Sequence, residues 1–365
     1  MIRILHCVNN MHRAGLETML MNYYRNIDRE QIQFDFLMHR EERSDYDDEI
    51  EALGGRIYRA PRLYPQNYPA YFRFMQRFFR EHPEYTIVHS HIDAMSYLPL
   101  LAAKKAGIPV RIAHSHNTGI DLDFKYLLKQ YFRLCLNSVA THTFACGKEA
   151  GDFLFRGRDF TVIPNAVDSA QYRFDTAMRQ QKRAELGVEN RLVVGHVGRM
   201  AYAKNHAFLL SLFADLLKTH PDAVLLLVGT GEKEEELKQK VQTLGIASSV
   251  RFLGSRSDVS ALYQAMDVFL LPSLFEGIPV VGVEAQFAGL PCLFSTGVPR
   301  EVCFSDCCRF LGLSEPLSVW TEALQTLAAQ TDRTAPVDSD IYAISHAAAV
   351  LQDHYHTFSQ ALGAD

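Results

Sequence analysis

Glu276 and Glu284 stand with seven residues between them in the segment PSLFEGIPVVGVEAQFAGLP, residues 272–291. Pro279 suits the first turn of a helix, and Gly289-Leu290-Pro291 suits its end. A helix that starts at a Gly-Ile-Pro loop presents free backbone N–H groups and a positive dipole end, which fits a diphosphate. Glu276 falls in the loop before this helix and Glu284 in its second turn. On spacing alone each carboxylate reads equally as a ligand contact or as a capping group. Capping explains Glu276 better than Glu284.

Two cations accompany them. Gly198-Arg199 follows a strand directly, and Lys204 comes five residues later at the start of the next helix. Cations at such a turn neutralise phosphate oxygens and stabilise charge appearing on a leaving diphosphate. Solvated surface charges are the alternative. Gly229-Thr230-Gly231 is a further strand-to-helix turn, but Glu234 occupies the place of the third glycine, which argues against a dinucleotide site.

In the first half, Arg13-Ala14-Gly15-Leu16-Glu17 follows the first strand and opens a helix, another phosphate-facing candidate. His89/His91 and His114/His116 each end a strand, and alternation puts each pair on one face. No carboxylate is spaced with them as a third metal ligand, so they read as polar residues at strand ends lining a cleft, with no metal expected. Asp121-Leu122-Asp123 precedes a helical run and reads as a cap rather than a metal motif.

Composition limits the classes. A chain of 365 residues suggests two domains, and 48% hydrophobic residues supply two cores. The net charge of −5 gives no global field for nucleic acid. Seven cysteines without CxxC spacing read as reduced thiols in a cytosolic setting, and the spacing of Cys303, Cys307 and Cys308 fits no zinc pattern. Residues 1–8 lack a cleavage site, and no run approaches the roughly 20 apolar residues of a membrane span. The expected location is cytoplasmic, with peripheral membrane contact left open.

The elements that position these residues alternate. Runs at 2–8, 33–39, 86–91, 110–116, 141–147 and 160–165 read as strands, with helical patterns at Leu16–Ile27, Ala70–Glu81 and Leu98–Ala106 between them. The pattern breaks into a polar stretch with some helical character over 168–189, then restarts with strands at 191–199, 223–231, 250–254, 267–273 and 291–295. This predicts an α/β protein of two Rossmann-like domains, 1–168 and 169–340, flanking a linker near 168–188 and facing each other across a cleft. A helix over 341–365 is expected to cross back onto the first domain.

Together these segments resemble the family 4 retaining glycosyltransferases of the GT-B fold, closest to those that build bacterial exopolysaccharide or capsule. The resemblance runs from MHRAGLETMLMNYYR at 11–25 through IVHSH, RIAHSHN and FACGKEAGDFLF to PSLFEGIPVVGVEAQFAGLPCLFS, and is densest at Glu276 and Glu284. It implies that Arg199 and Lys204 bind the donor diphosphate, helped by the amides of Val280 and Val281. It implies that Glu284 holds the ribose hydroxyls, and that Glu276 with Gly277, Ile278 and Pro279 contacts the donor sugar. His116 is placed near the transferred sugar, Gly15 near the phosphates, and Phe252, Leu253 and Arg256 beside the nucleobase.

The implied catalytic group is His116, Glu276, Arg199 and Lys204. The implied donor is a UDP-sugar, with a GDP-sugar second, and neither cofactor nor metal. The implied acceptor is a saccharide or a polyprenyl-linked saccharide, with the acceptor on the first domain. Two departures stand out. Ala14 replaces the first glycine of the usual pair, and the segment from Ser295 to Glu301 lacks the expected acidic residue after the serine.

Two segments mix aromatics with cations: 61–85 with Arg73, Arg77 and Arg80, and 124–136 with Lys125, Lys129 and Arg133. Such stripes lie on anionic membrane or form core on one side and solvent on the other. Two other readings use the same residues: a sugar-nucleotide epimerase of this architecture, and a non-catalytic binding subunit. The set of Glu276, Glu284, Arg199 and Lys204 speaks against the second.

Overall fold

Alternation along the first strand sorts its residues by face. Leu5 and Cys7 join a core with Leu37, Val88, Ala113 and Ala145, while His6 stacks with Phe34 and Phe36 on the other side. The structure is a computed structural model and describes residues 1–120, 124–330, 332, 333, 337 and 339–362. Asp121-Leu122-Asp123 lies outside the described residues. Contacts divide the chain into two units, Met1–Ala166 with Ile344–Asp365, and Val167–Ala343.

The strands of the first unit are β1 (Ile2–Val8), β2 (Ile32–Met38), β3 (Ile57–Arg59), β4 (Ile87–Ser90), β5 (Val110–Ser115), β6 (His142–Ala145) and β7 (Thr161–Val162). They pair in parallel in the order β3-β2-β1-β4-β5-β6-β7. The helix Gly15–Asn26 buries Met19, Leu20, Tyr23 and Tyr24, positions one turn apart on one face. The helix Ile344–Leu362 packs beside it, with Tyr355 reaching His89 and Phe34.

The second unit holds β8 (Val193–Val197), β9 (Val224–Val228), β10 (Val250–Phe252), β11 (Val268–Leu271), β12 (Cys292–Ser295) and β13 (Cys308–Leu311). They pair in parallel in the order β10-β9-β8-β11-β12-β13. Both sheets repeat the doubly wound strand order, in which the chain reverses direction of growth beside the first strand. That switch point lies between β1 and β4 in one unit and between β8 and β11 in the other.

The stretch 168–188 is not a linker. It contains the helix Thr176–Leu186, capped by the Asp175 carboxylate, which accepts from Met178 N. Arg183 pairs with Asp267 at 3.1 Å and donates to Ala265 O at 2.8 Å, which ties the helix into the second unit. The helical character of this polar stretch is legible, but its packing is not, because the buried residues are Lys182 and Arg183 rather than aliphatics. β3 and β13 also escape sequence reading. Both lie at sheet edges, and neither carries a run of buried apolar residues.

Candidate functional site

The loops that leave β8 and β11 flank the switch point of the second sheet, and they carry the two cations and Glu276. After β8 the chain runs through Gly198-Arg199 into the turn Tyr202–Lys204. After β11 it runs through Pro272–Pro279 into the helix Val280–Phe287. The second loop is pinned on both sides. Leu274 N donates to Ala203 O at 2.7 Å, and Ser295 Oγ donates to Ser273 O at 2.5 Å. A Cβ at Gly297 would come within 2.4 Å of Leu274 O, so that close approach requires glycine.

This framework brings Lys204 and Glu276 together. Lys204 Nζ donates to Glu276 Oε1 at 2.6 Å, and Ser273 Oγ reaches the same oxygen at 2.6 Å. Both side chains are mostly covered, with 17% and 10% exposed. Low exposure strengthens the pair relative to a surface salt bridge, because water screens it less.

Arg199 is arranged differently. Its guanidinium is 63% exposed and donates to Glu232 Oε2 at 3.0 Å. Arg256 likewise spends its guanidinium on Asp258, through bonds of 2.7 and 2.8 Å. Leu253 N donates to Leu227 O, and Gly254 O accepts from Gly229 N at 2.8 Å. Gly229 has φ +125°, and a Cβ there would sit 2.3 Å from Gly198 O. The loops after β8, β9 and β10 are thus laced tightly through glycine.

Pro279 is the residue before the helix rather than its first turn; its extended backbone (φ −71°, ψ 117°) makes it the N-cap. Its carbonyl accepts from Gly282 and Val283, which leaves the N–H groups of Val280 and Val281 outside the helical ladder. Gly277, Ile278 and Val280 are buried. One turn further, Glu284 is 5% exposed and held by two phenols. Tyr172 Oη donates to Oε1 at 2.8 Å and Tyr263 Oη to Oε2 at 2.9 Å. Burial raises the Glu284 carboxyl above its ordinary range, against the lowering effect of both phenols.

Sequence reasoning missed Tyr172, Tyr263 and Ser273. Tyr172 is 112 positions from Glu284, so no local spacing announces it. Ser273, three residues before Glu276, had a visible spacing signal.

In the first unit, Ala14 is extended at φ −140°, so alanine fits where a glycine was expected. A Cβ on Gly15 would meet nothing within 4 Å among the described residues, so their packing does not explain that glycine. The histidines are buried rather than lining an opening: His89 is 1% exposed, His91 2% and His114 1%. Tyr355 covers His89 with a 2.7 Å hydrogen bond, and Phe144 packs edge-on to His89 and His114. His116, at 9%, lies nearest the surface. Its backbone N–H donates to Asp93 Oδ1 at 2.8 Å.

A family model described as "Glycosyltransferase Family 4" matches residues 13–171, and one described as "Glycosyl transferases group 1" matches residues 178–305. A Bacillus subtilis protein named "Putative glycosyltransferase EpsF" is 38% identical over 90% of this chain and 88% of its own length. An Escherichia coli UDP-Gal:alpha-D-GlcNAc-diphosphoundecaprenol alpha-1,3-galactosyltransferase is 29% identical over 58% of each chain. The crystal structure of Anabaena Alr3699/HepE in complex with UDP and glucose matches with a TM-score of 0.79. It covers 98% of this chain and all of that one at 20% identity, a likeness of fold. With both halves matched in order and a close relative along almost its whole length, the chain belongs to the family 4 glycosyltransferases of the GT-B fold and is a glycosyl-transferring enzyme.

Proposed function

We propose that this enzyme transfers a sugar, with retention of anomeric configuration, from a UDP-sugar to a saccharide or polyprenyl-linked saccharide during exopolysaccharide or capsule assembly. The observation that carries the reading is the Lys204–Glu276 pair beside the start of the helix Val280–Phe287, at the switch point of the second sheet. Lys204 has three N–H donors, so it can hold Glu276 and still donate to a phosphate oxygen. Arg199 can leave its exposed Glu232 partner at little cost, since such pairs contribute little.

In the proposed step the acceptor hydroxyl oxygen bonds to the anomeric carbon on the face from which the diphosphate departs. The bond from that carbon to the phosphate oxygen breaks, and the hydroxyl proton passes to the leaving phosphate oxygen. Arg199, Lys204 and the amides of Val280 and Val281 stabilise the charge that develops there. Glu284 is assigned to the ribose hydroxyls, and Glu276 with Gly277, Ile278 and Pro279 to the donor sugar. His116 is assigned to the transferred sugar and Gly15 to the phosphates. Phe252, Leu253 and Arg256 are assigned to the base. The relatives' names support a uridine donor and a lipid diphosphate acceptor: UDP with glucose for the Anabaena protein, and UDP-Gal with an undecaprenol diphosphate for the Escherichia coli enzyme.

The lipid acceptor also fits a surface of the first unit. Among the described residues no helix is long and apolar enough to cross a membrane. Yet Phe124, Leu127, Tyr131 and Leu134 are 81%, 81%, 57% and 58% exposed on or beside the helix Tyr126–Cys135. By contrast Tyr71, Met75, Phe78 and Phe79 of the other aromatic segment are buried. Peripheral contact with the inner membrane face is therefore assigned to 124–134.

Thermal-shift binding of UDP, GDP and their sugar conjugates in EDTA tests the donor assignment. A shift for UDP ligands that disappears in Glu284→Ala supports it. A shift for GDP ligands alone replaces the base, and no shift with any of them removes the reading.

A further inference from the structure

Five histidines share one face of the first sheet, and their contacts form two chains rather than one cluster. His6 Nδ1 lies 2.9 Å from His91 Nε2, and His91 Nδ1 lies 3.0 Å from His116 Nε2. Separately, Tyr355 Oη meets His89 Nδ1 at 2.7 Å, and His89 Nε2 meets His114 Nδ1 at 3.1 Å. The first chain runs from the interior outward, with exposures of 0% for His6, 2% for His91 and 9% for His116.

Nitrogens of His6, His89 and His91, and of His91, His114 and His116, also lie within 4.8 Å of one another, which invites a metal reading. Distance argues otherwise. Two nitrogens on a tetrahedral zinc, each about 2.0–2.1 Å from the ion, stand about 3.3 Å apart. The His6–His91 and His91–His116 contacts of 2.9 and 3.0 Å are closer than that and fit hydrogen bonds. Among the described residues no carboxylate joins either trio to balance a dication.

Burial keeps these rings neutral, with His6 and His116 both pushed down to about 3. A neutral imidazole carries one hydrogen, so it donates through one nitrogen and accepts through the other. His91 uses both nitrogens within the chain, so its tautomer dictates both neighbours. If His91 carries hydrogen on Nδ1, then His6 and His116 do as well. If it carries hydrogen on Nε2, so do the other two. The far end, His6 Nε2, is buried against Phe34 and Phe36 with no hydrogen-bond partner among the described residues. A proton relayed inward from His116 would therefore stop as a cation in an apolar setting, which burial opposes.

We propose that His91 and His6 are positioning residues that hold His116 in the tautomer the three share, which sets the hydrogen-bonding role of its remaining ring nitrogen, Nδ1, toward a sugar oxygen. His116 then serves as a hydrogen-bond partner and not as a proton carrier. The sugar contact rests on the function proposed above; the shared tautomer rests only on the geometry of the first unit.

The test reads the two parts separately. In histidine-labelled wild-type protein at neutral pH, ring-nitrogen correlation spectra should show His6, His91 and His116 neutral and in the same single tautomer. In His6→Phe and His91→Phe, His116 should become a mixture of tautomers. Those variants should lose about tenfold in kcat while UDP affinity changes less than twofold. Unlike tautomers among the three rings, a protonated His116, or stoichiometric zinc in the purified protein would each overturn the lock, whatever the activity. Variants that fail to fold leave the wild-type spectrum as the deciding measurement. A shared tautomer with unchanged kcat in folded variants would overturn the sugar contact alone, and loss of UDP binding in wild type would point instead to the function proposed above.

Discussion

Lys204 and Glu276 meet across the switch point of the second sheet, one from the loop after β8 and the other from the loop after β11, with 2.6 Å between Nζ and Oε1. Parallel strands that diverge at this point leave a crevice at their carboxyl ends, and two loops must close it. An ion pair joins those loops through one of the lysine's three N–H donors. The same pair thus serves the packing of the second unit and, in the proposed reaction, the diphosphate.

Single substitutions of this pair should separate those two roles. Lys204→Met leaves a mostly covered carboxylate without its cation, and Glu276→Gln leaves the cation without its carboxylate. Each should destabilise by less than the roughly 3–5 kcal/mol of a fully buried pair, because some solvent access remains. The double variant should regain most of that loss yet stay slow, with kcat down about 10²–10³-fold, since the charge that meets the leaving group is gone. Denaturant melts and initial rates on all three proteins check this. Recovery of turnover in the double variant would rule out a catalytic role for Lys204.

Glu284 gives a pH dependence with a definite sign. Burial raises its carboxyl in the folded state, so the fold favours the protonated form. Its stabilising contribution is complete below the ordinary carboxylate range and is lost as pH rises through the raised value. Glu284→Gln is neutral at every pH and keeps that contribution. The variant's stability relative to wild type should therefore grow as pH rises from the ordinary carboxylate range through that raised value, and thermal melts across that window check it. A gap that stays flat would show that the phenols hold the carboxylate as well as water does.

Tyr172 and Tyr263 are expected to act through Glu284. Tyr172→Phe and Tyr263→Phe each remove one donor from the carboxylate, an interaction of about 1.5–3 kcal/mol for a charged partner. UDP affinity should fall about tenfold in each, more in Tyr263→Phe because that phenol is fully buried. Combined with Glu284→Gln, either change should add little, since the residues share one network. Calorimetric titration of UDP reads this directly. Full additivity would place the tyrosines outside the ribose contact.

How much of this was legible in the sequence depends on the distance over which each feature is built. The two sheets were visible because apolar strands and amphipathic helices alternate locally. The Glu276–Glu284 segment was visible because a loop and a helix start are also local. The linker reading failed at Arg179 and Arg183, because a polar stretch of some helical character gives no sign that these side chains pack on carbonyls and on Asp267. Tyr172 was unreadable, because only the folded second unit brings it to Glu284. The histidine pairs were seen as pairs, but His6 was not joined to them, since a parallel sheet places it beside His89 from 83 residues away in sequence.

The exposed stripe on the helix Tyr126–Cys135 yields the remaining prediction. Leu127, Tyr131 and Leu134 recur at helical spacing on one face, with Phe124 preceding them. Lys125 stays close, with Nζ 4.1 Å from the Tyr64 ring centre and bonded to Leu63 O at 2.9 Å. Apolar side chains with cations beside them favour an anionic interface over water. Leu127→Ser with Leu134→Ser removes two aliphatic groups, worth about 1.5–3 kcal/mol each when fully buried, so binding to anionic vesicles should weaken at least tenfold in co-sedimentation. UDP binding should stay as in wild type, because the second unit is untouched. Folding stability should hold or rise, since neither leucine packs into the core. Equal vesicle binding by wild type and variant would remove this stripe from the membrane contact.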